Sequence, residues 1–209
     1  MRMRSRFYAM IDPAGGHDPV VLAQILVAAG ARILQLRLKD AGARELLAAA
    51  CAINEVCRAA GAILIVNDRV DIAILSEAHG VHLGQTDLPL DAARRILGQD
   101  RVIGISTHAV AQAVAAEAGG ADYIGFGAIY SGGLKDVKNA QGLERLAEVR
   151  RAVRIPIVAI GGITEATMPA VIAAGADAAA IITDVVRAPD IGKKVAALLA
   201  HDAGASANR

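Results

Sequence analysis

Short apolar blocks punctuate the chain, and the residues ahead of them repeat. Ala28-Ala29-Gly30-Ala31 precedes Ile33-Leu34-Gln35-Leu36, and Ala59-Ala60-Gly61-Ala62 precedes Ile63-Leu64-Ile65-Val66. The order returns at Ala118-Gly119-Gly120-Ala121 before Tyr123-Ile124-Gly125-Phe126, and at Ala173-Ala174-Gly175-Ala176 before Ala179-Ala180-Ile181-Ile182. Gly80 and Gly98 stand in like positions before Val81-His82-Leu83 and Val102-Ile103-Gly104-Ile105. Glycine takes the left-handed conformation that ends a helix, and a short turn then feeds a strand. The apolar blocks lack polar alternation, as parallel strands covered on both faces do. The segments between them are alanine-rich and helical in period.

Eight strands are predicted, around Tyr8, Leu34, Leu64, His82, Ile103, Ile124, Val158 and Ile181, each followed by a helix. Strict alternation of this kind predicts an α/β fold, a closed (β/α)8 TIM barrel. An open doubly wound sheet is the competing architecture. It calls for a glycine-rich fingerprint after the first strand, and Ala14-Gly15-Gly16 lacks that spacing. No linker interrupts the pattern, so residues 1–209 read as one domain, with 203–209 as a disordered tail.

Composition narrows the function. Hydrophobic residues make up 55% of the 209 positions, enough for a sizeable core. A formal net charge of +1 supplies no basic field for a nucleic-acid backbone, and 2% aromatics cannot build base-stacking platforms. No apolar stretch is free enough of charges and helix breakers to span a membrane. The basic N-terminus leads straight into Asp12, Pro13 and Gly15, unlike a signal peptide. Cys51 and Cys57 fall on different faces of one helix, so they read as free thiols in a reducing compartment. A cytoplasmic protein acting on small molecules is expected, and assembly as a homo-oligomer stays open.

Polar residues gather where such a barrel keeps its chemistry, at the C-terminal ends of the strands. Gln35, Arg37 and Lys39 alternate, so all three face the barrel mouth, where two cations and an amide suit a phosphate or pyrophosphate. A solvated charge run is the bland alternative, but a barrel strand has no solvated face in mid-run. Asn67-Asp68 and His82-Leu83-Gly84-Gln85-Thr86-Asp87 end the next two strands. Taken singly, Asp68 or Asp87 reads as a helix N-cap. Together, opposite Arg37 and Lys39, they read as a Mg²⁺ site, since magnesium keeps waters and bridges to substrate phosphates. Ser106 reads as a substrate contact or an N-cap. The loop from Gly127 to Gly142 carries Lys135 near its middle, and loops of that length are usually functional. Gly161-Gly162 offers bare backbone N–H groups to a phosphate at a helix N-terminus. Thr183-Asp184 follows the eighth strand, where Asp184 opposes an anion unless it turns away. His17, His79 and His201 read as structural or solvated.

Together these segments resemble the thiamine phosphate synthase family. The resemblance rests on Gln35-x-Arg37-x-Lys39-Asp40, Asn67-Asp68, His82-Leu83-Gly84-Gln85-x-Asp87, Ile105-Ser106, Asp122 to Gly127, Ile160-Gly161-Gly162-Ile163 and Ala174-Gly175-Ala176-Asp177, in family order over nearly the whole chain. It implies a transferase joining hydroxymethylpyrimidine diphosphate to a thiazole phosphate, with thiamine phosphate and pyrophosphate as products. Gln35, Arg37, Lys39, Asn67 and Lys135 would hold the pyrimidine diphosphate, Ser106 would touch the pyrimidine, and Asp68 and Asp87 would hold Mg²⁺. Gly132, Gly133, Leu134, Gly162, Ile182 and Thr183 would form the thiazole phosphate side. Arg37, Lys39, Ser106 and Lys135 would be the catalytic set.

Two departures fall on that second side. Family members carry Pro-Thr-x-Thr-Lys where this chain has Ser131-Gly132-Gly133-Leu134-Lys135, and Thr183-Asp184 stands where Ser-Ala is common. Two further readings therefore accompany the synthase: an isomerase resembling the thiazole tautomerases, with His108 moving the proton, and a non-catalytic barrel that binds a thiamine precursor.

Overall fold

The computed structural model describes Met3, residues 5–131 and residues 140–203. Eight strands run in chain order: β1 (Phe7–Ile11), β2 (Ile33–Leu36), β3 (Ile63–Asn67), β4 (Gly80–Leu83), β5 (Val102–Thr107), β6 (Tyr123–Gly127), β7 (Ile157–Ile160) and β8 (Ala178–Ile181). Each pairs in parallel with the next, and β1 pairs with β8, which closes the barrel. The connecting helices are α1 (Pro19–Ala28), α2 (Ala43–Ala59), α3 (Val70–Leu75), α4 (Leu90–Leu97), α5 (Val110–Ala118), α6 (Gly142–Ala152), α7 (Met168–Ala173), α8 (Thr183–Val186) and α9 (Ile191–Ala203). The barrel expected from the apolar blocks is the fold observed.

Strand side chains alternate between two cores, a period the hydropathy hides because both faces are covered. Phe7, Ala9, Leu34, Leu64, Ile103, Ile124 and Ile181 face outward and pack with Leu26, Ile53, Val149 and Leu198 of the helices. Tyr8, Met10, Ile33, Tyr123, Val158, Ala178 and Ala180 face inward and fill the barrel. Polar residues in the inward phase therefore arrive at the barrel mouth by strand geometry alone.

The helix ends follow the repeated punctuation. Gly30, Gly61, Gly120 and Gly175 have φ of 106°, 64°, 85° and 112°, the left-handed region expected of them. Gly80 is different. It opens β4, and a Cβ there would lie 2.0 Å from the Val102 carbonyl oxygen, so close approach of β5 requires the glycine. The left-handed residue after α3 is Glu77, with φ 55°. Asp18 caps α1 by accepting from the N–H groups of Val20 and Val21 at 2.9 and 3.0 Å, with Pro19 in the first turn.

Helix α9 runs to Ala203, one residue into the expected tail, and 204–209 lie outside the described residues. Cys51 and Cys57 are free, half-buried and buried respectively. Among the described residues no helix is long and apolar enough to cross a membrane. His17 is structural as expected: its Nε2 lies 2.9 Å from the Val186 carbonyl, tying the β1 loop to α8.

Candidate active site

A cavity of about 490 Å³ opens at the C-terminal end of the strands. Gln35, Arg37, Lys39, Asn67, Asp68, Asp87, Ser106 and His108 all line it, which brings together eight residues singled out from the sequence. Gln35, in β2, is buried and donates from Nε2 to the Tyr8 hydroxyl at 3.0 Å. Arg37 follows β2 directly, and its N–H donates to the Ile11 carbonyl, extending the β1–β2 pairing. Its guanidinium meets the Asp12 carboxylate at 2.5 Å. Asp12 is buried and also accepts from the Ala14 N–H, so Arg37 is held by a partner that is itself fixed.

Lys39 lies 3.2 Å from Asp68, and Asp87 is the neighbouring carboxylate on the same cavity wall. Neither carboxylate caps a helix: Arg69 and Pro89 occupy the cap positions of α3 and α4, without side-chain caps. Asp68 has φ 63°, a conformation rare outside glycine, asparagine and aspartate. Asp87 accepts from the Gly84 N–H at 2.6 Å. Burial, and then the neighbouring Asp87, push the Asp68 carboxyl above the usual carboxylate range, against the pull of Lys39. Two hard oxygen ligands that disfavour each other's charge, with one lysine beside Asp68, fit a divalent cation that fills its remaining positions with water and phosphate oxygens. Among the described residues no third acidic, histidine or cysteine side chain joins them.

Ser106 is not an N-cap. It lies inside β5, and Ala109 occupies the cap position of α5. Its Oγ sits 2.8 Å from His82 Nε2, and its carbonyl accepts from Gln85 at 2.6 Å. His82 Nδ1 lies 2.9 Å from the Tyr123 hydroxyl, which lies 2.9 Å from the Tyr8 hydroxyl. Sequence reasoning missed Tyr8, His82 and Tyr123 as site residues, although all three line the cavity. A signal existed: each is in the inward phase, Tyr8 with Met10 and Tyr123 with Gly125, while the inward neighbours Gly104 and Gly125 leave room for large rings. Burial pushes the Tyr8 phenol up to about 12 and the Tyr123 phenol well above its ordinary value. It also lowers the His82 imidazole to about 4, so that His82 is neutral near pH 7.

That depression has a measurable consequence for stability. Unfolded His82, with an ordinary value near 6.5, takes up a proton that the folded protein refuses until about pH 4. The stability attached to this group is complete above about pH 6.5 and is lost as pH falls through the window to about 4. The loss should reach about 3 kcal/mol. Urea unfolding at several pH values should give a shallower acid slope in His82→Gln than in the parent, and identical slopes would refute the assignment.

The other half of the mouth is built from β7 and β8. A second cavity, of about 460 Å³, is lined by Gly161, Gly162, Ile182, Thr183, Asp184, Arg187 and Lys194 among others. It meets the first across Ile160, Gly161, Ala180 and Ile182, which line both. Gly161 and Gly162 have φ of 103° and 62°, and added Cβ atoms would lie 2.4 Å from Ala128 and 2.9 Å from Tyr130. The glycines do not stand at a helix N-terminus as expected. Helix α7 begins only at Met168, after a turn in which the Thr164 N–H donates to Thr167 Oγ1. Asp184 faces this cavity with its charge paired: it accepts from the Glu165 N–H at 2.9 Å and meets Lys194 at 3.4 Å. Between β6 and α6 the Gln141 and Gly142 N–H groups donate to the Ala128 and Ile129 carbonyls. Gly132, Gly133, Leu134 and Lys135 lie outside the described residues.

A family model described as thiamine monophosphate synthase matches residues 7–185. The chain belongs to the thiamine monophosphate synthase family. The match runs from β1 into α8 and so takes in the whole lining of the first cavity and that of the second as far as Asp184. A thiamine-phosphate synthase of Chlorobium limicola is 49% identical over 174 residues, 83% of each chain. Another from Moorella thermoacetica is 47% identical over 178 residues, 85% of each chain. The solved thiamine phosphate pyrophosphorylase of Pyrococcus furiosus superposes with a TM-score of 0.85 at 32% identity, covering 92% of this chain and 93% of that one. Membership in the thiamine monophosphate synthase family accounts for the order in which the polar strand ends occur. The tyrosine–histidine network behind them is read from the geometry of this chain.

Proposed function

We propose that the protein is a thiamine phosphate synthase, which joins hydroxymethylpyrimidine diphosphate to a thiazole phosphate and releases pyrophosphate. The observation that carries this reading is the pair of adjoining cavities. One is ringed by Arg37, Lys39 and two carboxylates, the other by glycines, Thr183 and two cations, and they share a wall at Ile160 and Ile182. Such a mouth can hold two anionic substrates with their reacting ends together, and positioning alone can supply much of the rate.

The bond that breaks is the one from the pyrimidine methylene to the pyrophosphate oxygen, which keeps the electron pair. The thiazole nitrogen then forms the new bond to that methylene. Negative charge grows on the departing pyrophosphate, and Arg37 and Lys39 stand where it develops, Arg37 aimed by Asp12. The family resemblance adds Lys135 as a third cation and assigns Gly132, Gly133 and Leu134 to the thiazole side; all four lie outside the described residues. Gln35 and Asn67 orient the pyrimidine diphosphate, and Ser106 contacts its ring. Gly162, Ile182 and Thr183 face the thiazole phosphate. Asp68 and Asp87 would hold Mg²⁺, which when bound supplies charge neutralisation to the leaving group. No general base or covalent nucleophile is required. An enzyme with free thiols and small phosphorylated substrates suits a reducing cytoplasm.

Purified protein given both substrates and Mg²⁺ should form thiamine phosphate. Tight binding of the pyrimidine diphosphate without product, even at high enzyme concentration, would replace the synthase by a binding protein. His108 keeps one further reading alive. It lines the cavity, and its Nδ1 donates to the Gly127 carbonyl at 2.7 Å, which leaves Nε2 as a proton acceptor. Thiazole isomerisation without Mg²⁺, lost in His108→Ala, would favour that isomerase.

A further inference from the structure

The geometry points to a proton-ordered relay, Gln35–Tyr8–Tyr123–His82, that locks His82 in its Nε2–H tautomer and makes Ser106 a hydrogen-bond donor toward the pyrimidine ring. This rests on the larger cavity being the pyrimidine pocket. His82 and Tyr123 are then positioning residues, acting on substrate through Ser106.

The order follows from counting hydrogens. Gln35 Nε2 only donates, and it donates to the Tyr8 hydroxyl. Tyr8 is 1% exposed, and its remaining partner is the Tyr123 hydroxyl. Its own hydrogen therefore goes to Tyr123. Tyr123 is fully buried, has accepted that bond, and passes its hydrogen to His82 Nδ1. An imidazole that accepts at Nδ1 carries its hydrogen on Nε2, which donates to Ser106 Oγ. Ser106 has then used an acceptor position, and its hydroxyl hydrogen is left for the cavity that it lines. The reverse order would have Ser106 donate to His82, His82 to Tyr123 and Tyr123 to Tyr8. With the Gln35 amide placed Nε2 toward Tyr8, that order strands the Tyr8 hydrogen in a buried wall, the costlier arrangement; it becomes satisfied only if the amide turns to present Oε1, and the two orders differ in which nitrogen of His82 carries the proton.

The backbone around the relay is equally committed. Gly104 and Gly125 lack the Cβ atoms that would meet Tyr123 at 2.1 Å and His82 at 3.0 Å. Gln85 holds the Ser106 carbonyl at 2.6 Å, so the hydroxyl turns on a fixed strand. A pocket wired in this way selects a ring with a lone-pair acceptor, such as a ring nitrogen, opposite Ser106. It disfavours an analogue with C–H at that place.

The test reads the tautomer directly. ¹⁵N-histidine NMR of the ligand-free protein, with the His82 signals assigned by their loss in His82→Gln, should show Nε2 protonated and Nδ1 bare. Tyr123→Phe should remove that preference and weaken binding of the pyrimidine diphosphate about tenfold, as expected for one mispaired buried hydrogen bond. His82→Gln, whose amide nitrogen can replace Nε2–H, should bind within about threefold of the parent, whereas His82→Leu should match Tyr123→Phe. A protonated Nδ1 in the parent overturns the relay, whatever the activity. Equal binding by all the variants overturns the coupling to substrate. An Nε2–H signal in a protein without synthase turnover upholds the relay and overturns only the identity of the ligand.

Discussion

Asp68→Asn should lower synthase turnover by about a thousandfold or more, the scale expected when charge stabilisation is lost at a developing anion. Asparagine is the informative replacement because it tolerates the φ of 63° that Asp68 adopts, whereas alanine would add backbone strain to the chemical loss. The substitution removes one of two carboxylates that stand side by side, with Lys39 at 3.2 Å. Without an ion those carboxylates disfavour each other's charge, so the variant should be no less stable than the parent in metal-free buffer. Added Mg²⁺ should raise the Tm of the parent, because a ligand that binds only the folded state stabilises it. It should leave the Tm of Asp68→Asn where it was. Near-normal turnover together with a preserved Mg²⁺ response would remove Asp68 from the metal site.

Gly104→Ala should cost about 3 kcal/mol of folding stability, the upper part of the range for overpacking a filled interior. In the strand register Gly104 sits opposite His82 on one side and Tyr123 on the other. The added Cβ would lie 2.1 Å from Tyr123 Cζ and 2.5 Å from its hydroxyl oxygen. Tyr123 cannot swing aside cheaply, since it is fully buried and bonded to both Tyr8 and His82. Moving it would also break the order that sets Ser106, so turnover should fall with stability. Gly42→Ala is the control: Gly42 has φ −66°, and nothing stands within 4 Å of an added Cβ. Urea unfolding of the two variants would expose a mistaken account of the interior if both stayed within about 0.5 kcal/mol of the parent.

Much of the mouth was legible because strand period and strand direction are local properties. Gln35-x-Arg37-x-Lys39 could be placed inside by alternation, and the structure puts all three on one cavity wall. Local rules misjudged other positions. Gly80 looked like a helix terminator, yet its role depends on a carbonyl of the neighbouring strand, 22 residues on. Gly161 and Gly162 looked like the start of a helix, yet their positive φ serves the close passage of Ala128 and Tyr130. Asp184 looked hostile to an anion until Lys194, on another helix, was seen to pair with it.

By itself the sequence determined the eightfold alternation, the common facing of Gln35, Arg37 and Lys39 and the collection of anion-binding and acidic groups at one end. Those follow from backbone propensities and from a period of two, which act over a few residues. Only the closed barrel decided which inward residues touch. Tyr8 and Tyr123 lie 115 residues apart and meet at 2.9 Å, and Ser106 finds its donor on the adjacent strand. Parity states that a side chain points inward. Its partner there is set by the stagger of the closed sheet and by the space that Gly104 and Gly125 leave empty.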